Sequence, residues 1–266
     1  MKEHLLKLVR DTHVENDKLN IMREYLQAYA LRALQDQGGF KYYAFIGGTA
    51  LRFLYDLPRF SEDLDFYQVN QPDISFVDTL KYIKQEFVLA GYDLEVKHRD
   101  KVVQTASFKF KGLLYETGLS PLKEQVFSIK MDVDTNPPEG AVLETKIVNK
   151  FFPISFLSFD LASLLAGKMH ALLYRKYTKG RDYYDLSWYL SRYKDLSPNI
   201  ELLKNALIQT HWEGEIPQSD NWRDFLSRVV EAADWDKIVK DVSPFLENQS
   251  DMNVLTKENV LSIVRG

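Results

Sequence analysis

Asp63 and Asp65 are two carboxylates one residue apart in the run Asp63-Leu64-Asp65-Phe66-Tyr67, which reads as a strand. Residues i and i+2 of a strand share a face, so both acids stand side by side while Leu64 and Phe66 turn towards a core. Adjacent carboxylates repel, and a cation between them keeps both ionised. Upstream, Gly47-Gly48-Thr49 lies between an apolar run, residues 42–46, and the short helical stretch ALRFLYDL. Glycines at such a junction let backbone amides approach a phosphate, and the helix dipole adds attraction. Thr49 is placed to cap that helix and to offer its hydroxyl to a phosphate oxygen. Arg52, Arg59 and Ser61 are near enough in sequence to complete an anion site. A phosphate cradle tethered to a carboxylate metal site is what phosphoryl or nucleotidyl transfer needs. Alone, a GG after a strand is usually a turn and a DxD a solvated strand edge; their joint occurrence at this spacing carries the reading.

A two-metal site, or a general base for an attacking hydroxyl, calls for a third acid. The alternating run Phe127 to Asp134 offers Asp132 and Asp134 on one face, and Asp132, deeper in the strand, is the favoured one. The set for a metal is therefore Asp63, Asp65 and Asp132. Further on, Leu161, Leu165, Lys168 and Leu172 form one helical stripe. A lysine in an apolar stripe either snorkels to water or meets an anion, and a triphosphate is such an anion. The next helix opens with Arg181-Asp182-Tyr183-Tyr184-Asp185. Arg181 and Asp185 are spaced for an ordinary i, i+4 ion pair, and Asp182 for a first-turn acid favoured by the helix dipole. Lys168, Arg175, Lys176, Lys179 and Arg181 form a basic cluster fit for an RNA backbone or simply for solvent.

The elements that must position these residues follow from periodicity. Residues 3–37 repeat apolar side chains at helical spacing and end at Gly38-Gly39. Strands are expected at 42–46, 63–67, 92–96, 105–110 and 127–134, with a helix over 73–90. The stretch Thr135-Asn136-Pro137-Pro138-Glu139-Gly140 signals a turn, and beyond about 155 the pattern is helical to the end. The class is α+β, with a mixed-sheet lobe over 1–150, including the N-terminal helices, and a helical lobe over 151–266. Trp212, Trp222 and Trp235 are expected in the core of the latter.

Composition narrows the chemistry. The 266 residues contain no cysteine, which excludes disulfides, thiolate catalysis and cysteine-bound zinc. Five histidines show no HxxxH or HxH spacing, so a catalytic metal is held by carboxylate oxygens, which suits Mg²⁺ or Mn²⁺. The net charge of −4 means that any nucleic acid is met by a local basic patch. No apolar run approaches the roughly 20 residues of a membrane span, and the N-terminus lacks the apolar core of a signal peptide, so no membrane partner and a cytoplasmic location are expected.

The runs GGTALR and RFSEDLDF resemble the first motif of the polymerase-beta-type nucleotidyltransferase superfamily. With the later KMHALLYRKYTKGRDYYDL, the chain is more narrowly similar to the AbiEii/AbiGii nucleotidyltransferase toxins, over roughly residues 40 to 190. The resemblance implies a bilobed fold that binds a nucleoside triphosphate (NTP) and Mg²⁺. It puts Thr49 on phosphate, makes Asp63 and Asp65 metal ligands with Asp132 as third acid, sets Lys168 on the triphosphate, and makes Asp182 or Asp185 an essential acid. It further implies a toxin of a toxin–antitoxin or phage-defence system, a cognate antitoxin, and an RNA acceptor such as a tRNA 3′ end. A transferase acting on a protein or small molecule would use the same site, and a non-catalytic nucleotide-binding module is the third alternative.

Overall fold

Alternation of apolar and polar residues builds the strands. In Phe127–Asp134 the residues Phe127, Ile129, Met131 and Val133 are buried, while Ser128, Lys130, Asp132 and Asp134 are not. In Leu64–Gln68 it is Leu64 and Phe66 that are buried. The computed structural model describes residues 1–266, the side chain of Asn16 excepted. In chain order the helices are α1 Lys2–Asp11, α2 Glu15–Asp36, α3 Gly47–Tyr55, α4 Phe76–Leu89, α5 Leu113–Glu116, α6 Leu161–Tyr174, α7 Gly180–Arg192, α8 Ile200–Gln209, α9 Trp222–Ala232, α10 Trp235–Val242 and α11 Lys257–Arg265. The strands are β1 Tyr43–Ile46, β2 Leu64–Gln68, β3 Leu94–Arg99, β4 Val103–Phe110, β5 Phe127–Asp134, β6 Leu143–Asn149 and β7 Pro153–Phe159.

These form one seven-stranded sheet of order β3-β4-β5-β2-β1-β7-β6. It is mixed: β1 runs antiparallel to β2 and parallel to β7, while β2 runs parallel to β5. Parallel pairing of β2 with β5 requires a long crossover, which is supplied by α4, the β3–β4 hairpin and α5. The apolar face of the sheet shares a core with α2 and α4: Met22, Leu26, Leu80, Ile83 and Phe87 pack with Phe45, Phe66, Phe108, Met131 and Phe156.

The chain divides into two compact units, and the division is not a single cut near 150. The first holds Met1–Asp56, Phe60–Pro137 and Thr145–Ser158; the second holds Leu57–Arg59, Pro138–Glu144 and Phe159–Gly266. Periodicity missed β6 and β7. Strand β6 is a sheet edge with Leu143 and Ile147 exposed, so its alternation has no buried apolar half to read. Likewise β2 begins at Leu64 rather than Asp63, and α3 begins at Gly47 with Ile46 as its N-cap, so Thr49 is inside the helix rather than capping it.

The second unit is helical, with Leu165, Met169, Leu186, Tyr189, Leu203, Leu226, Ile238 and Val260 fully buried. Gly180 opens α7 hard against α10: a Cβ there would stand 2.4 Å from the Ile238 carbonyl oxygen, so no larger residue fits. Of the three expected core tryptophans, Trp222 is buried, and Trp212 and Trp235 are half-buried. Among the described residues no helix is long and apolar enough to cross a membrane.

Candidate active site

The acid pair is set by register. Leu64 pairs with Met131, Asp65 with Asp132, and Tyr67 with Asp134, on neighbouring parallel strands about 5 Å apart. Asp63, Asp65 and Tyr67 therefore share the polar face of the sheet with Lys130, Asp132 and Asp134. On its other side β5 pairs with β4, which places Ser107 beside Lys130 and Thr105 beside Asp132. Burial, with the charges of Asp134 and Asp65 behind it, pushes the Tyr67 phenol up to about 12, so it stays a proton donor at neutral pH.

The glycine turn reaches this face. Ile46 pairs with Asp65, and Gly47 follows with φ +78, a conformation L side chains rarely adopt. A Cβ on Gly47 would stand 2.5 Å from Asp65 Oδ2, so on top of the φ that favours glycine any side chain here would push the Asp65 carboxylate aside. The first turn of α3 carries Gly47, Gly48 and Thr49, whose amides have no intrahelical partner, and it starts at the residue that stands against Asp65. Thr49 is buried, and its hydroxyl donates to the Asp63 carbonyl. In this structure it fastens the helix start to the acid strand instead of pointing at a phosphate.

The approach to Asp63 is anchored from behind. Gln27, buried on α2, donates from Nε2 to the carbonyls of Ser61 at 3.1 Å and Glu62 at 2.9 Å. Its neighbour Glu24 accepts from Arg52 Nε at 2.6 Å and from Lys150 Nζ at 2.8 Å. Arg52 also lies 4.7 Å over the Phe60 ring and is 5% exposed, so this cation serves Glu24 and the core. Neither Glu24 nor Gln27 was singled out from sequence. The available signal was their spacing with Asn20 at i, i+4 and i+7, a polar stripe on a helix that is otherwise apolar on that side.

The fit of a divalent ion turns on the oxygens of this face. Asp132 Oδ1 is buried and makes no hydrogen bond, while Oδ2 accepts from Lys130. An orphaned buried oxygen, in register with Asp65, and an all-oxygen donor set suit a hard cation such as Mg²⁺ or Mn²⁺. In the side-chain positions present, no three acidic or histidine residues among those described converge into a finished cage.

In the helical unit the remaining predicted residues form an ion network. Arg59 is fully buried and grips Asp185 with two bonds of 2.6 Å, from Nε to Oδ1 and from Nη2 to Oδ2. Lys168 Nζ lies 2.6 Å from Asp185 Oδ2 and 3.0 Å from Asp182 Oδ1, and Arg175 Nη1 donates to Asp182 Oδ2 at 2.5 Å. Burial opposes ionisation of Asp185, but Arg59 and Lys168 outweigh it and hold the carboxyl below the usual range. Burial likewise opposes ionisation of Asp182, and Lys168 and Arg175 reverse the sign. Lys168 thus neither snorkels nor stands bare; both acids of the next helix hold it. Arg181, predicted to bind nucleotide, receives its neighbours elsewhere: its backbone N–H donates to Asp241 at 3.2 Å and its guanidinium lies 4.2 Å over Phe245.

Beside this network Arg175, Lys176, Tyr177, Lys179, Tyr183 and Val229 line a cavity of about 210 Å³. Burial, and the crowding of Arg175 and Arg181, lower the Lys179 ammonium despite Asp182.

The sequence profile described as "Nucleotidyl transferase AbiEii toxin, Type IV TA system" matches residues 29–257. No curated protein sequence matches the chain. Among solved structures, JHP933 from Helicobacter pylori is similar at 19% identity and TM-score 0.55, over 92% of this chain and 90% of that one. A provisionally assigned nucleotidyltransferase from H. pylori is similar at 18% identity and TM-score 0.56, over 91% and 92%. At such identities the likeness is one of fold.

Proposed function

This chain belongs to the AbiEii family of nucleotidyltransferase toxins of type IV toxin–antitoxin systems, and on that premise we propose that it transfers a nucleoside monophosphate from an NTP to the 3′ end of an RNA, a tRNA in the first instance, with Mg²⁺ or Mn²⁺ held by Asp63, Asp65 and Asp132. The observation that carries the reading is the in-register pair Asp65 and Asp132, with the Gly47 turn closed onto Asp65. A bound divalent ion would neutralise the acid cluster and polarise phosphate oxygens.

The chain's own groups do the rest. Amides of Gly47, Gly48 and Thr49 orient phosphate oxygens at the start of α3. The carbonyl bond from Thr49 and the Gln27 anchor keep Asp63 in position. The acceptor hydroxyl oxygen bonds to the α-phosphorus as the bond from α-phosphorus to the bridging oxygen breaks, and pyrophosphate leaves. The Asp132 carboxylate oxygen that a bound ion leaves unengaged would take the hydroxyl proton. Tyr67 remains protonated and offers a donor on the same face.

An RNA acceptor is supported by the helical unit, where Arg175, Lys176 and Lys179 bring cations to one cavity and Tyr177 adds a ring on which a base can stack. NTP and tRNA place the activity in the cytoplasm. The family premise supplies a cognate antitoxin as the expected protein partner.

The test is incubation with total tRNA, Mg²⁺ and each α-³²P-labelled NTP in turn, beside Asp63→Asn. Label on RNA that depends on Asp63 and on one NTP is expected. Label on a protein band instead would move the acceptor to a protein, and equal labelling by Asp63→Asn would remove Asp63 from the site.

A further inference from the structure

Lys130 precedes Asp132 by two residues on β5, so its side chain leaves the same face of the sheet. Its Nζ donates to Asp132 Oδ2. The strand register brings in the other acids. Since Leu64 pairs with Met131, Asp63 and Lys130 are the next positions along the two parallel strands. Asp65 pairs with Asp132 in the same register, so all three carboxylates share the face from which this ammonium projects. A monovalent cation that belongs to the chain therefore already stands on the face of the acids that would ligate a divalent one.

That cation is mobile by its chemistry. The Lys130 side chain is 50% exposed while Asp132 is 21% exposed, and an ammonium on a four-carbon stem can swing to water without disturbing the strand. It is also incomplete as a partner, because Asp132 Oδ1 remains buried with no hydrogen bond.

We propose that Lys130 is an internal counter-ion of the acid face: it holds Asp63, Asp65 and Asp132 together in the metal-free enzyme and is displaced when a divalent ion binds, so that it sets the metal affinity of the site. The proposal rests on the acid face being the metal site. Carboxylates on one face repel one another, which loosens the pairing of β5 with β2. A tethered single charge limits that repulsion, and it competes with a divalent ion for the same oxygens. The consequence is a site that stays ordered when empty and that fills only at higher metal concentration.

The measurement is Mn²⁺ binding to the intact chain without nucleotide, followed by loss of the free-ion electron paramagnetic resonance signal. Wild type, Lys130→Met, Lys130→Gln, Lys130→Arg and Asp65→Asn are compared, with thermal unfolding in the presence and absence of Mn²⁺. Removing the charge in Lys130→Met or Lys130→Gln is expected to tighten Mn²⁺ binding about three- to ten-fold, with Lys130→Arg close to wild type. Without metal both neutral variants melt earlier than wild type, and Mn²⁺ raises their melting temperature by more. Equal or weaker Mn²⁺ binding in the neutral variants, with binding still dependent on Asp65, overturns the counter-ion alone. Binding that is absent throughout, or indifferent to Asp65→Asn, overturns the metal site itself and the proposal with it.

Discussion

The acid face of the sheet and the ion network of the helical unit are built from the same residue types and came out oppositely. Around Asp185 both carboxylates are more than matched: Arg59 and Lys168 take both of its oxygens, and Lys168 and Arg175 share Asp182, three cations for two acids. Asp185 is wholly buried, while Arg175 at the margin of the group is 30% exposed. On the sheet, Asp63, Asp65 and Asp132 share one face with Lys130, which donates to Asp132 Oδ2, and one buried oxygen of Asp132 goes without a hydrogen bond. A buried network of this kind is costly to break, and its surplus cation, Arg175, lines the neighbouring cavity. Acids gathered at a glycine turn, with a buried carboxylate oxygen left over, are the arrangement on which the proposed cation and phosphate binding rests.

The comparison is sharpened most by Asp65→Asn. Losing one metal ligand on the acid face is expected to cut nucleotidyl transfer about 10³-fold or more, equivalent to about 4 kcal/mol of barrier, with an unchanged melting temperature. Radiolabel transfer and circular dichroism read the two halves of that statement, and a large loss of stability would place Asp65 with the structural group. Asp185→Asn is the mirror case. Leaving Arg59 buried with a neutral partner is expected to cost about 3–5 kcal/mol of stability, seen as an earlier urea midpoint. Wild-type stability in that variant would break the contrast.

Gly47→Ala carries a smaller effect with two origins. The strained φ costs about 1–3 kcal/mol, and the new methyl displaces the Asp65 carboxylate, so transfer falls further than stability alone accounts for. The ratio of activity to folded fraction is the quantity to measure. Thr49→Val, which removes the bond to the Asp63 carbonyl, is expected to lower stability by about 1 kcal/mol and transfer modestly.

The two regions also part on pH. Although burial alone would raise them, the Asp182 and Asp185 carboxyls are held below their ordinary range by the cations around them. Their stabilisation is therefore complete above the unfolded value of about 3.9 and is lost as pH falls through the lower folded values. Urea unfolding of wild type should weaken steeply below about pH 4, and less steeply in Asp185→Asn. A slope unchanged by the substitution would show that this network is not the acid-sensitive one.

Much of the acid face was legible because its logic is local. Alternation put Asp63 and Asp65 on one face, the same alternation put Asp132 on its strand, and Gly47 sat where a strand turns into a helix. Roles for Arg52 and Arg59 were not legible, since both were chosen for nearness in sequence to the glycines. Their partners lie far along the chain, Glu24 on α2 for Arg52 and Asp185 on α7 for Arg59, the latter 126 residues away. Lys130 escaped notice because a lysine on a half-exposed strand face looks like ordinary solvation until its neighbouring strand is known.

The sequence by itself determined where the carboxylates, the glycine turn and the helical lysine fall, the order of most elements, and the family to which they belong. Those follow from periodicity and residue type, which act over a few positions. Only the tertiary structure decided which charges are matched and which are in excess. Pairing depends on strand register and burial, because desolvation forces a buried charge onto whatever partner the fold delivers, and no short-range pattern encodes that partner.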